Sequence, residues 1–241
     1  MALHIENYYD ASVARQIADK LCNSKLFGKY ENAPNIARVG QAYFEGLSSE
    51  ETAEKYRKDS RNWIRQIREE CLPYFLPIDR VRLELDEAWD YGAQLGNLHL
   101  DQNLKAFAGL VRIFYQGSGT EIHQDILDWD LRAIDKVDTG VMIQFAVNVY
   151  LDLPKTGGEV RLWKISPNRN EYESYRNKDS YGLNEEKLPR PDLVFRPNPG
   201  DLWLFRASEL HQVVEAGNGR RVTQSCFVGF RGDDKHLVVW S

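Results

Sequence analysis

The sequence predicts an α+β fold: a double-stranded β-helix (jelly roll) core braced by helices that precede it. Three observations carry this expectation. In roughly the first 100 positions, apolar residues recur at helical spacing. Beyond them the texture changes to short runs rich in β-branched and aromatic residues, separated by Gly, Pro, Asn and Asp. No helical period lies between those runs, which disfavours parallel β-α-β units and favours an antiparallel double sheet. The expected layout is a single domain over 1–241, with mainly helical support over 1–100 and the jelly roll over 101–241.

In chain order, "DASVARQIADKLC" (10–22) spaces Val13, Ile17 and Leu21 four apart, the stripe of an amphipathic helix. "SSEETAEKYRKDSRNWIRQIREEC" (48–71) opens with Ser48 and carries Glu51 three residues on, a capping-box pattern. Ala53, Tyr56, Trp63 and Ile67 supply its apolar stripe, and Pro73 and Pro77 end it. "IDRVRLELDEAW" (78–89) sets Ile78, Val81, Leu85 and Trp89 on one face. The strand-like runs follow: "FAGLVRIFYQG", "GVMIQFAVNVYLDL", "GGEVRLWKI", "DLVFRP", "GDLWLFRA", "LHQVVEA", "RVTQSCFVGFRG" and "HLVVWS". One stretch interrupts them, the polar, tyrosine-rich segment 166–192. A connection of that length is expected to be a lid over a site, or else a solvated insertion.

The chain of 241 residues has a net charge of −5 and a pI near 5.6, which argues against a nucleic-acid surface. It has no run of 18 apolar residues, so no membrane partner is expected, and "MALHIENYYD" lacks the basic and apolar regions of a signal peptide. Cys22, Cys71 and Cys226 are odd in number and form no CxxC, as expected of reduced thiols in a cytoplasmic protein.

The chemistry concentrates in two places. In "GTEIHQDILDW" (119–129), His123 and Asp125 stand two apart, so on extended backbone they point to one side and Gln124 to the other. An imidazole with a carboxylate suits non-haem Fe(II), although such a pair also arises as a loop His beside an acid. Downstream, His211 opens a strand-like run, and Arg221 follows ten residues later with Thr223 on the same face. An arginine fork beside a hydroxyl can grip a carboxylate. Arg220 competes with Arg221 for that role. Asn148, on the side of Gln144 and Ala146, and Trp129, close behind the HxD pair, are candidates to line a pocket, though a tryptophan is also a common core residue. His4, His99 and His236 have no partner pattern.

Together these features resemble the Fe(II)/2-oxoglutarate-dependent oxygenases, in their prolyl-4-hydroxylase-like branch. Within it the chain is similar to the carrier-independent aliphatic halogenases of welwitindolinone and hapalindole biosynthesis. The shared features are Arg112 eleven residues before His123, "PKTGGEV" (154–160), "PGDLWLF" before His211, the Arg220-Arg221 pair and the terminal "LVVWS". The resemblance runs from roughly residue 60 onward and leaves the first 50 residues unplaced.

The resemblance implies that His123, Asp125 and His211 hold the catalytic Fe(II), that Arg221 with Thr223 binds the cosubstrate 2-oxoglutarate, and that O2 takes the remaining position. Arg112 and Asn148 are further cosubstrate-side candidates, and Arg112 would serve equally in a structural ion pair. Trp129 is a candidate substrate wall. One departure matters: those halogenases have Gly where this chain has Asp125. The expectation is therefore a hydroxylase that acts on an aliphatic C–H of a free small molecule, natural-product or amino-acid-like, and releases succinate and CO2. Desaturation, ring closure, epimerisation and action on a peptidyl residue remain alternatives, as does a non-catalytic jelly-roll binding module. The oligomeric state is left open.

Overall fold

The computed structural model describes residues 2–30, 33–46, 49–96, 105–130, 139–178 and 180–241. Its frame is a large, mainly antiparallel sheet facing a small one. Along the large sheet run β1 (Ala2–Ile5), β9 (Leu202–Arg206), β6 (Ile143–Asp152), β11 (Arg221–Phe230), β5 (Leu110–Phe114), β3 (Ile36–Val39) and β2 (Phe27–Lys29). β12 (Leu237–Trp240) pairs with the far half of β11 and, in parallel, with β4 (Ala93–Leu95). The small sheet orders β10 (His211–Val213), β7 (Val160–Leu162) and β8 (Leu193–Phe195). This is a jelly roll, and each of the eight strand-like runs contains one of its strands.

Strand parity divides the large sheet's two faces. Val111, Ile113, Val147, Val149, Val222 and Val228 lie in one buried cluster with residues of the helices. These helices are α1 (Ala11–Cys22), α3 (Glu50–Cys71) and α4 (Pro77–Ala88). Ile17 and Leu21 of α1, Tyr56 and Ile67 of α3 and Ile78 and Val81 of α4 are all buried there. Each such side chain contributes about 1.5–3 kcal/mol by leaving water. The Asp10 carboxylate accepts from the Ser12 and Val13 amides and starts α1. α4 has no side-chain cap of its own. Pro77 fills its first position, and the buried Gln224 of β11 accepts from the Ile78 amide at 3.2 Å, tying the helix to the sheet.

Three expectations are corrected. The first third is not only helical: β1, β2, β3 and β4 lie within it, and α2 (Tyr43–Gly46) is a single turn. The capping box of α3 sits one residue later than the motif suggested. Ser49 and Thr52 exchange side-chain and backbone bonds, because a threonine hydroxyl serves as well as Glu51 would, and Ser48 lies outside the described residues. α3 ends at Cys71, before Pro73, whereas Pro77 opens α4 rather than closing α3.

The segment 166–192 is a docked substructure rather than a loose loop. It contains a short helix (Arg169–Tyr175) and a single 3-10 turn at Glu185–Lys187. Tyr172 and Leu183 pack with Ile122, Trp163 and Leu210 in a second apolar cluster. Glu121 accepts from the Ser180 hydroxyl at 2.5 Å and the Gly182 amide at 2.7 Å. Among the described residues, no helix is long and apolar enough to cross a membrane.

Candidate active site

After β5 the chain turns at Gly117, which has a positive φ of 78°. It then runs beside β10. The Thr120 amide donates to the Val213 carbonyl at 2.9 Å, and the Val213 amide donates to the Thr120 hydroxyl at 2.8 Å. Gly119 permits this approach, since a Cβ there would stand 2.7 Å from the Val213 oxygen. His123 then forms an antiparallel bridge with His211: each amide donates to the other's carbonyl, at 3.0 and 2.8 Å. Bridge partners project to the same side, and the two imidazole centroids lie 4.3 Å apart. Two residues on, the Asp125 amide donates to the Ala207 carbonyl at 2.8 Å.

The donors converge. His211 Nε2 lies 3.3 Å from Asp125 Oδ2, His123 Nε2 lies 3.9 Å from Asp125 Oδ1, and one ligand atom from each residue falls within 4.8 Å of the others. Each Nδ1 is 2.8–3.0 Å from the carbonyl two residues earlier, Glu121 for His123 and Glu209 for His211. A carbonyl only accepts, so Nδ1 carries the proton and the Nε2 lone pair faces the cluster. Burial, with His211 beside it, holds His123 neutral down to about 4. Burial works against ionised Asp125, but the adjacent His211 ring and the nearby Arg112 charge outweigh it and hold the carboxyl well below its usual range. Two imidazoles that turn Nε2 toward one carboxylate are the donor set that a divalent ion requires.

A cavity of about 380 Å³ opens from this cluster between the two sheets. On its wall stand Arg112, Phe114, Ala146, Asn148 and Arg221 from the large sheet, with Val160 and Val213 from the small one. Arg221 is 3% exposed, and its guanidinium carbon lies 5.1 Å from the ring centres of both Phe114 and Tyr150. No carboxylate among the described residues pairs with it, and Arg221 Nε, Thr223 Oγ1 and the Tyr150 hydroxyl are buried without a hydrogen-bond partner. A buried cation with unmet donors around it is costly unless an anion belongs there. The donor cluster therefore fits a metal ion, and this pocket fits a carboxylate.

Arg220 lies elsewhere, paired with Asp152 at 2.9 Å and with Asp19. Asn148 and Trp129 line the cavity, and Trp129 meets Tyr172 edge-on at 5.6 Å. Gln124 turns away to donate to the Pro167 carbonyl at 2.9 Å. His4 hydrogen-bonds Asp201 and His236 approaches Arg231, both outside the cavity, and His99 falls outside the described residues. The sequence reading missed Tyr150, although strand parity continues from Ala146 and Asn148 to it. It also missed Tyr30 and Phe44, for which no local pattern exists, and Tyr172, Arg176 and Tyr181, which the insertion brings in. A wider groove of about 530 Å³ between residues 72–76 and α4 contains no metal-binding cluster among the described residues.

Comparison with known proteins bears on this geometry. No family model matches the chain. L-gamma-glutamyl-L-propargylglycine hydroxylase of Streptantibioticus cattleyicolor is 31% identical over 138 residues, 56% of this chain and 49% of that protein. L-isoleucine 3(1)-dioxygenase of Pantoea ananatis is 25% identical over 128 residues, 49% of this chain and 41% of that one. The chain thus spans about half the length of the curated relatives it matches, or somewhat less. Among solved structures, an N-substituted L-amino acid dioxygenase from Burkholderia ambifaria superposes with a TM-score of 0.55 at 14% identity, covering 95% of this chain and 91% of that one. HygX from Streptomyces hygroscopicus, with nickel and 2-oxoglutarate bound, gives 0.50 at 14%, covering 95% and 82%. The fold is the jelly roll of the dioxygenases. At these identities the structural likeness is one of fold.

Proposed function

We propose that this chain is an Fe(II)- and 2-oxoglutarate-dependent dioxygenase that uses O2 to hydroxylate an aliphatic C–H bond of a free, amino-acid-like small molecule. One observation carries the reading: a single cavity holds a two-histidine, one-carboxylate cluster and, on its wall, a buried arginine with no carboxylate partner. The curated relatives' names, a hydroxylase and a dioxygenase of amino-acid compounds, support it. The resemblance to the carrier-independent halogenases we read as a likeness of scaffold. Asp125 stands where they have Gly, so hydroxylation is the expected outcome. We take the described chain to act as one domain, in the cytoplasm.

His123, Asp125 and His211 would hold the iron, with both rings fixed by the Nδ1 bonds to Glu121 and Glu209. Arg221 would hold the far carboxylate of 2-oxoglutarate, with Thr223 and Tyr150 supplying hydroxyls. The iron and 2-oxoglutarate, when bound, supply the oxidising power that breaks an unactivated C–H bond, with release of succinate and CO2. The protein's share is orientation and dryness. Phe114 and Tyr150 flank Arg221, and Trp129 and Tyr172 wall the side nearer the insertion.

Anaerobic addition of Fe(II) and 2-oxoglutarate should give the weak visible absorption of the chelate, and His123→Ala or His211→Ala should abolish it. A double-histidine variant that still converted 2-oxoglutarate would refute the assignment.

A further inference from the structure

Arg112 is a second cation in the cavity, and the reaction as proposed gives it no partner. β5 sets it opposite Thr223 of β11, on the inner face of the sheet. Its Nε donates to the Tyr30 hydroxyl at 3.2 Å. Among the described residues no carboxylate lies within ion-pair distance of it, whereas its cross-strand neighbour Arg38 grips Glu45 at 2.9 Å. Arg112 borders the cavity. Its position also differs from that of Arg221. The Arg112 charge acts on Asp125, His123 and Tyr181 as well as on Arg221, whereas Arg221 is enclosed by Phe114 and Tyr150 and does not figure among the charges acting on Asp125. One guanidinium thus flanks the donor cluster and the other lies apart from it.

The charges do not cancel. With a divalent ion, Asp125, dianionic 2-oxoglutarate and both guanidiniums in place, one positive charge is left over. A cation out of water and without a counter-ion is costly, so the remaining ligand should place an anionic group beside Arg112. The surroundings suit a carboxylate with an aliphatic body. The Tyr30 hydroxyl, accepting from Arg112, keeps its own proton to donate, and Trp129, Tyr172 and Phe44 supply apolar wall.

We infer that Arg112, oriented by Tyr30, is the subsite for a carboxylate of the substrate, and that the substrate class is aliphatic carboxylic acids. This rests on the dioxygenase reading above and moves Arg112 from the cosubstrate to the substrate.

The test uses the protein with Fe(II) and 2-oxoglutarate and a probe set of L-isoleucine, L-leucine, N-acetyl-L-isoleucine and N-acetyl-L-leucine, each paired with its primary carboxamide. In the wild type, acids should stimulate succinate formation and amides should not. Arg112→Gln should keep the visible chelate band while the KM for the acid rises roughly 10- to 100-fold, the loss expected of a hydrogen bond to a charged group. Arg112→Lys should fall between, and Tyr30→Phe should raise KM several-fold with kcat held. Amides that stimulate as well as acids, an unchanged KM in Arg112→Gln, or a chelate band lost with Arg112 would each overturn the inference. A wild type that forms the band and responds to none of the acids would also overturn it. Should Arg112→Gln not fold, Tyr30→Phe decides by the same split, and an unchanged KM refutes. A wild type that forms no band refutes the dioxygenase reading instead, so the two failures are distinct.

Discussion

Arg221→Met separates stability from ligand binding. Methionine keeps much of the side chain's length and removes its charge. Arg221 is 3% exposed, its Nε has no partner, and no carboxylate among the described residues neutralises it. In the free protein the charge is therefore a burden that the fold carries for a ligand. Replacing even paired buried charges by apolar groups is often neutral or stabilising by about 1–4 kcal/mol, so the free variant should melt no lower than the wild type. Binding should behave oppositely. At 100 times its Kd, 2-oxoglutarate stabilises the wild type by about 2.7 kcal/mol. For a chain of this size that is a rise of about 5–11 °C. Removing one partner of a buried ion pair costs about 3–5 kcal/mol, which raises Kd roughly 150- to 5,000-fold and leaves at most about 1 °C of shift at the same concentration.

The assay is thermal melting in Mn(II), with and without 2-oxoglutarate. Arg220→Met is the contrast. It breaks the pairs with Asp152 and Asp19, should lower the melting temperature, and should keep the ligand shift. The reverse pattern, with Arg221→Met melting several degrees lower yet still responding to 2-oxoglutarate, would refute the reasoning.

Other expectations follow from the same geometry. Asp125→Gly removes the anionic donor, so product mass spectrometry should show hydroxylation falling at least about 100-fold, and wild-type enzyme in chloride buffer should give no chlorinated product. The amides of Gly182, Leu183 and Asn184, bonded to Glu121, Ile122 and Tyr175, should be protected in hydrogen exchange without substrate. Glu121→Ala should speed their exchange by roughly 5- to 100-fold, and fast exchange in the wild type would return 166–192 to the status of a loose lid. Burial pushes the Cys226 thiol up to about 12 and the Cys71 thiol up to about 11. At pH 8 their thiolate fractions are then roughly one in ten thousand and one in a thousand, so iodoacetamide should modify the less buried Cys22 first.

What could be read from the sequence was what a two-residue period carries. The core strands alternate, so β6 and β11 stand out, and the same parity aims His123 with Asp125 and Arg221 with Thr223. The short strands of the first third carry no such signal. Phe27–Lys29 has three residues, two of them exposed, and Ala2–Ile5 finds its partner some 200 positions away in Leu202–Phe205. Their pairing depends on the finished sheet edge rather than on their own pattern. The insertion misled in the other direction. Its polar composition reads as solvated, yet Tyr172 and Leu183 bury apolar surface with Trp163, and Glu121 from outside the segment satisfies its turn. Tyr30 and Phe44 reach the cavity only because β2 and β3 extend the sheet beyond β5.

Parity aims Arg221 inward but does not show why it lacks an acid partner there, and a bulge explains that. Thr223 pairs with Tyr150, but the next pair is Val222 with Asp152, so Leu151 is an extra residue on β6. In unbroken register Leu151 would face Val222 and Asp152 would face Arg221, with carboxylate and guanidinium on the same side of the sheet. Asp152 would then neutralise Arg221 and close the pocket to an incoming anion. The extra residue turns Asp152 to the other side, where it meets Arg220 at 2.9 Å. One inserted residue thus assigns the acid to the outer arginine and leaves the inner one free. The adjacent Arg220-Arg221 pair, ambiguous as a motif, is resolved by β6 rather than by any feature of β11.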